Sequence, residues 1–105
     1  MFLWKIEDET GYQPQTTFWT DFSIADVFGV DAIRDTFDRA FGEWRSNFEY
    51  LTELVMVLNH KIWQHHEHGR EDYAAVYDEL WETADLWACE NLKGDELAYF
   101  FSCTD

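Results

Sequence analysis

The sequence predicts a mainly α protein, a small helical bundle with an antiparallel helical hairpin and an extended or short β N-terminal arm. Three observations carry this reading. From about residue 21 onward apolar residues recur at helical spacing, as in Ile33, Phe37, Ala40, Phe41 and Trp44 at i, i+4, i+7, i+8 and i+11, which is one face of a helix. Before about residue 21 that period is missing, and a β-prone alternation stands in its place. The chain has 105 residues with 47% apolar and 19% aromatic side chains, so it can build one core and is not intrinsically disordered. Residues 1–105 are read as one domain, with 1–20 as the arm and 21–105 as the helical body.

In the arm, Phe2, Trp4 and Ile6 alternate with Leu3 and Lys5. Residues 7–15 read as a loop with Gly11 and Pro14, and Thr16, Thr17, Phe18, Trp19 and Thr20 are β-prone. Ser23 followed by Asp26 is a capping-box pattern that opens a short helix ending near Gly29. A helix from about Asp31 to Arg45 follows, with Ile33, Phe37, Ala40, Phe41 and Trp44 on one stripe. Ser46 with Glu49 repeats the capping pattern and starts a central helix whose inner face holds Leu51, Leu54, Val55, Leu58 and Ile62, widened by Met56 and Val57. It stops at His68-Gly69, where glycine takes a left-handed cap without steric cost. The last long helix, about Glu71 to Asn91, turns Tyr73, Tyr77, Leu80, Ala84 and Trp87 inward. A connection this short makes the two longest helices antiparallel neighbours. Gly94 and Asp95 then precede a terminal turn over Glu96–Phe101.

Charge bounds the function. The chain has 22 acidic and 7 basic residues, a net charge of -15, which argues against direct contact with nucleic acid or an anionic membrane surface. Residues 1–6 lack the pattern of a secretory signal and no apolar run approaches the ~18 residues of a membrane span, so a cytoplasmic location is expected. Cys89 and Cys103 are expected as reduced thiols rather than a disulfide framework. The acids are patterned. Glu71, Asp78, Glu82 and Asp85 share one face of the last long helix at i, i+7, i+11 and i+14, with Glu79 and Glu90 to the side. Asp31, Asp35 and Asp38 form a second row, partly offset by Arg34 and Arg39. A solvated face would explain such rows in an ordinary protein. Here the excess is chain-wide and opposes compactness, so the rows are read as a surface for a basic, nucleic-acid-binding protein partner. Duplex DNA carries one charge per about 1.7 Å of axis, so mimicking it takes acids from helices lying side by side.

Other constellations point less far. His60, His65, His66 and His68 crowd the end of the central helix, but their spacing does not match the i, i+4 pairs of metal-binding helices. At a helix C-terminus the partial positive charge of His65, His66 and His68 is favoured, so no metal and no cofactor are assigned. Neither a phosphate loop nor a nucleophile elbow is present, and no catalytic residue is assigned. Glu49, Glu53, Met56, His60, Trp63 and Glu67 share a face of the central helix. Met56 and Trp63 there are either covered by Trp4, Phe18 or Trp19, or form an apolar patch for a partner or a homodimer.

The string Thr17-Phe18-Trp19-Thr20-Asp21-Phe22-Ser23-Ile24-Ala25-Asp26-Val27-Phe28-Gly29 resembles the opening of small acidic proteins from phages and mobile elements of gut bacteria. Leu51 to Trp63 resembles their later segment. That family has no assigned activity and transfers no site residues. The resemblance implies a phage-like setting and an inhibitor of host defence enzymes, the anti-CRISPR class included. The alternative is an accessory interaction module acting as a homodimer.

Overall fold

A computed structural model describes residues 16–45 and 47–104, without the side chains of Phe41, Cys103 and Thr104. The described residues form five helices and no strand: α1 (Phe18–Phe28), α2 (Val30–Trp44), α3 (Phe48–Glu67), α4 (Glu71–Asn91) and α5 (Asp95–Thr104). The β-prone reading of residues 16–20 is therefore corrected, since Phe18, Trp19 and Thr20 are the first turn of α1. Burial outweighs local propensity here. Phe18, Phe22 and Ala25 recur at i, i+4 and i+7, and all three are buried. The turn is held by Phe18 N–H donating to Thr16 Oγ1 and by Thr17 Oγ1 donating to Asp21. The remainder of the expected arm, residues 1–15, lies outside the described residues. Ser23 and Asp26 do not cap a helix. They sit inside α1 and face inward.

Gly29 has φ +119, a conformation that side-chain-bearing residues rarely adopt, and it lets α2 start immediately after α1. In α2 the expected stripe holds, with Ile33, Phe37 and Trp44 buried and Ala40 half-buried. Ser46, the expected cap of α3, lies outside the described residues. Asn47 does the capping, its Oδ1 accepting from the backbone N–H of Glu49 and Tyr50 at 3.0 and 3.4 Å. α3 is the most enclosed helix, with Leu51, Leu54, Val55, Val57 and Leu58 inaccessible to solvent. It ends at His68, and Gly69 at φ +74 turns the chain into α4. The two longest helices pack as the expected antiparallel pair.

α2 lies against both members of this pair, α1 bridges α2 and α3, and α5 closes against α3. The terminal element is longer than the expected turn because Phe100 is fully buried and Leu97 and Phe101 pack on the core. Trp44 meets Phe37 and Trp87 at ring-centroid distances of 5.5 Å, tying α2 to α4. Among the described residues no helix is long and apolar enough to cross a membrane.

Candidate partner-binding surface and the charge cluster behind it

The acidic rows fall on neighbouring helices. Glu71, Asp78, Glu79 and Glu82 are exposed along α4, and Asp31, Asp35 and Asp38 are exposed along α2. Arg34 of α2 donates to Glu79 of α4 at 3.0 Å, so the two acid-bearing helices meet along a seam at this pair. With side chains 46% and 65% exposed, that ion pair marks the seam rather than holding it. Asp85 is half-buried, so it leaves the exposed row in which its spacing placed it. Glu71 meets His66 Nδ1 at 2.9 Å.

The Met56–Trp63 face is not uniform. Trp63 is 62% exposed, whereas Met56 is half-buried. Glu53, expected on the same face, is buried and accepts from Thr16 through both its backbone N–H and its hydroxyl. The covering side chains come from α1: Phe18 is buried, and Trp19 lies 5.7 Å from the His60 ring. Trp4 lies outside the described residues.

Beneath the surface sits a cluster that the spacing analysis missed. Lys61 is only 2% exposed, and its Nζ donates to Asp26 Oδ2 and Ser23 Oγ at 2.9 Å and to Gln64 Oε1 at 3.3 Å. The ammonium also stands 4.3 Å from the centre of the Trp19 ring, a cation–π contact. Tyr77 donates to the other oxygen of Asp26 at 2.5 Å and to Phe22 O at 3.3 Å. Arg70 Nε donates to His65 Nδ1 at 2.8 Å, which leaves the proton of neutral His65 on Nε2, 3.2 Å from Asp26 Oδ2. Asp26 of α1 is thus the common acceptor for side chains of α3 and α4. The sequence did carry a signal. Lys61 sits three residues after Leu58 on a buried face, and Asp26 four after Phe22, and buried charges are rare unless paired.

This arrangement corrects the expectation for His65 at the end of α3. Burial pushes His60 down to about 4, with the neighbouring Lys61 charge acting in the same direction. Burial also lowers His65; Asp26 pulls the other way, and the charges of Arg70 and Lys61 reinforce the lowering. Tyr77 is raised well above its ordinary range by burial and by Asp26. The sign for folding follows. The unfolded chain takes up protons at these histidines from about pH 6.5 downward, before the folded chain does, so their contribution to stability is intact above pH 6.5 and erodes on acidification. A ring-proton NMR titration is expected to show His60 titrating near 4 and His65 below its ordinary 6.5. A His65 midpoint at or above 6.5 contradicts the neutral, Arg70-bonded ring.

Among the described residues no group of three His, Cys, Asp or Glu side chains converges as a metal site. Cys89 is a free, exposed thiol on α4, and the side chain of Cys103 lies outside the described residues. α1 adds one surface feature that the spacing did not flag. Ile24, Val27 and Phe28 are 55%, 82% and 77% exposed, opposite the buried Phe18–Phe22–Ala25 face. Comparison with family models, curated proteins and solved structures gives no match to this chain.

Proposed function

We propose that this protein is a non-catalytic, acidic protein-binding inhibitor or regulator that occupies the basic nucleic-acid-binding surface of a target protein. Its setting is that of phage-encoded inhibitors of host defence enzymes, the anti-CRISPR class included, acting in the host cytoplasm. One observation carries the reading: rows of exposed acids lie on α2 and α4, two helices that pack against each other, in a chain with 22 acidic residues against 7 basic ones. Adjacent helices supply the charge density that one stripe lacks when the counterpart is a duplex-binding groove. Such a field speeds encounter with a cationic partner and is screened by salt.

The test is capture of a target from host lysate at low salt, with release at about 0.5 M salt, where screening shortens to a few Å. The captured protein is expected to bind DNA or RNA and to release it when the acidic protein is added. Reversing Glu71, Asp78 and Glu82 to Lys is expected to weaken capture by more than about 100-fold, since like charges across an interface cost several kcal/mol. Circular dichroism should show unchanged helicity, because all three side chains are exposed. Undiminished capture by this triple variant removes the α4 face from the proposal.

A second reading rests on the exposure of Trp63. It makes the chain an accessory module that dimerises through that apolar side chain, with Met56 beneath. Sedimentation separates the two readings: a dimer indifferent to salt and lost in Trp63→Ser favours the module.

A further inference from the structure

α1 is apolar on two faces and buries only one. Phe18, Phe22 and Ala25 face the core, while Ile24, Val27 and Phe28, spaced i, i+3 and i+4, form an exposed ridge. A helix apolar all round is normally enclosed, so a second face left open at one end of a small protein marks a surface that meets something. Beside the ridge runs a groove of about 410 Å³ between α1 and α2, with Ile24, Phe28, Ala32 and Ala40 on its apolar side and Asp21 and Glu43 on its rim. An adjoining hollow shares Ala32 and Arg39 with this groove and adds Asp35 and Asp38. Arg39 is turned along its own helix, donating to Thr36 Oγ1 at 3.2 Å and to the Asp35 carbonyl at 3.3 Å. The apolar groove therefore adjoins the α2 acidic row, with Arg39 between them as one cation among Asp21, Asp35, Asp38 and Glu43.

Charge selects the occupant. A second copy of this chain would bring together two surfaces that each carry Asp21, Asp35, Asp38 and Glu43 against Arg39, from chains of net charge -15 each. Like charges so placed oppose association. A segment with apolar anchors at helical spacing and Lys or Arg beside them satisfies both halves of the surface.

We propose that the groove between α1 and α2 docks a basic amphipathic helix of the target protein. Its apolar side chains lie on Ile24, Val27 and Phe28, and its Lys or Arg residues meet Asp35 and Asp38. This rests on the reading of the protein as a binder of basic partners, and it assigns the apolar anchor point that the acidic rows lack.

The probe is a fluorescein-labelled helical peptide of about five turns, with Leu on one face and Lys on the other, read by fluorescence polarisation. Two control peptides replace all Leu by Ser or all Lys by Glu. The full-length chain is expected to bind the parent peptide at least about tenfold more tightly than either control, the loss typical of removing an interface anchor. Val27→Ser/Phe28→Ser and Asp35→Lys/Asp38→Lys should each weaken binding of the parent peptide by a similar factor. The Val27 and Phe28 side chains are exposed, so these changes leave the core intact. Equal binding by Val27→Ser/Phe28→Ser overturns the proposal. So does a tenfold gain in affinity when Phe2, Trp4 and Ile6 are changed to Ser, because the chain's own N-terminal segment is then the occupant. A salt-insensitive dimer abolished by Val27→Ser/Phe28→Ser makes the occupant a second copy and likewise overturns it. The two proposals fail separately. If Glu71→Lys/Asp78→Lys/Glu82→Lys loses the captured target and Val27→Ser/Phe28→Ser retains it, only the docking site falls. If both variants retain the target, the acidic binding surface falls as well.

Discussion

Replacing Asp26 with alanine is expected to cost the fold about 3–5 kcal/mol, the usual penalty for leaving a buried charge uncompensated. Lys61 is 2% exposed and donates to this carboxylate, while Ser23 and Gln64 offer dipoles but no counter-charge. The same substitution removes an acceptor from Tyr77 and the nearest anion from His65 Nε2. Urea unfolding should show the midpoint falling with an unchanged slope, and the melting temperature should drop by more than about 10 °C.

The reverse change is milder. Asp26 is 17% exposed, so in Lys61→Met it keeps partial access to water and still accepts from Tyr77. Its loss should be about 1.5–3 kcal/mol, that of a charged hydrogen bond. In Asp26→Ala/Lys61→Met neither charge is stranded, and stability should recover toward that of Lys61→Met alone. Strict additivity of the two single losses would mean that the pair is not coupled, and the account of Asp26 as the common acceptor would be wrong.

The contrast between this cluster and the rest of the fold shows what one chain of letters discloses. The stripe of α2 and the inner face of α3 were legible because burial there is apolar and periodic, and α4 was read to the residue at both ends. The Glu71–Asp78–Glu82 row was legible for the complementary reason, since charges left outside a periodic core fall on solvent. α1 was misread at its start because Thr16 to Thr20 favour strand locally, and only the distant walls of α3 and α4 make helix the better answer for Phe18 and Phe22. Asp26 was read as a capping residue because Ser-x-x-Asp is a local pattern, while its partners Lys61 and Tyr77 lie 35 and 51 residues away. His65 followed the same course: a helix C-terminus favours its cation, but burial and the Arg70 guanidinium decide for the neutral ring.

The tryptophans sharpen that lesson into a second large effect. Trp44 is inaccessible to solvent, at the meeting of α2 and α4, with Phe37 on one side and Trp87 edge-on at 85° on the other. Trp44→Ala would empty a site walled by helices that cannot all collapse inward, so a loss of about 3–5 kcal/mol is expected. Trp44→Phe keeps an aromatic between Phe37 and Trp87 and should cost clearly less. Trp63, 62% exposed on α3, is the internal control: Trp63→Ala should change stability by no more than about 0.5 kcal/mol. Thermal unfolding of the three variants checks the ranking directly. A Trp44→Ala protein as stable as Trp63→Ala would mean that α2 is not packed on the hairpin as described. The acidic rows of α2 and α4 would then no longer lie on adjacent helices, and the proposed binding surface would lose its geometry along with the core. The stability of one buried indole therefore tests the arrangement on which the functional proposal stands.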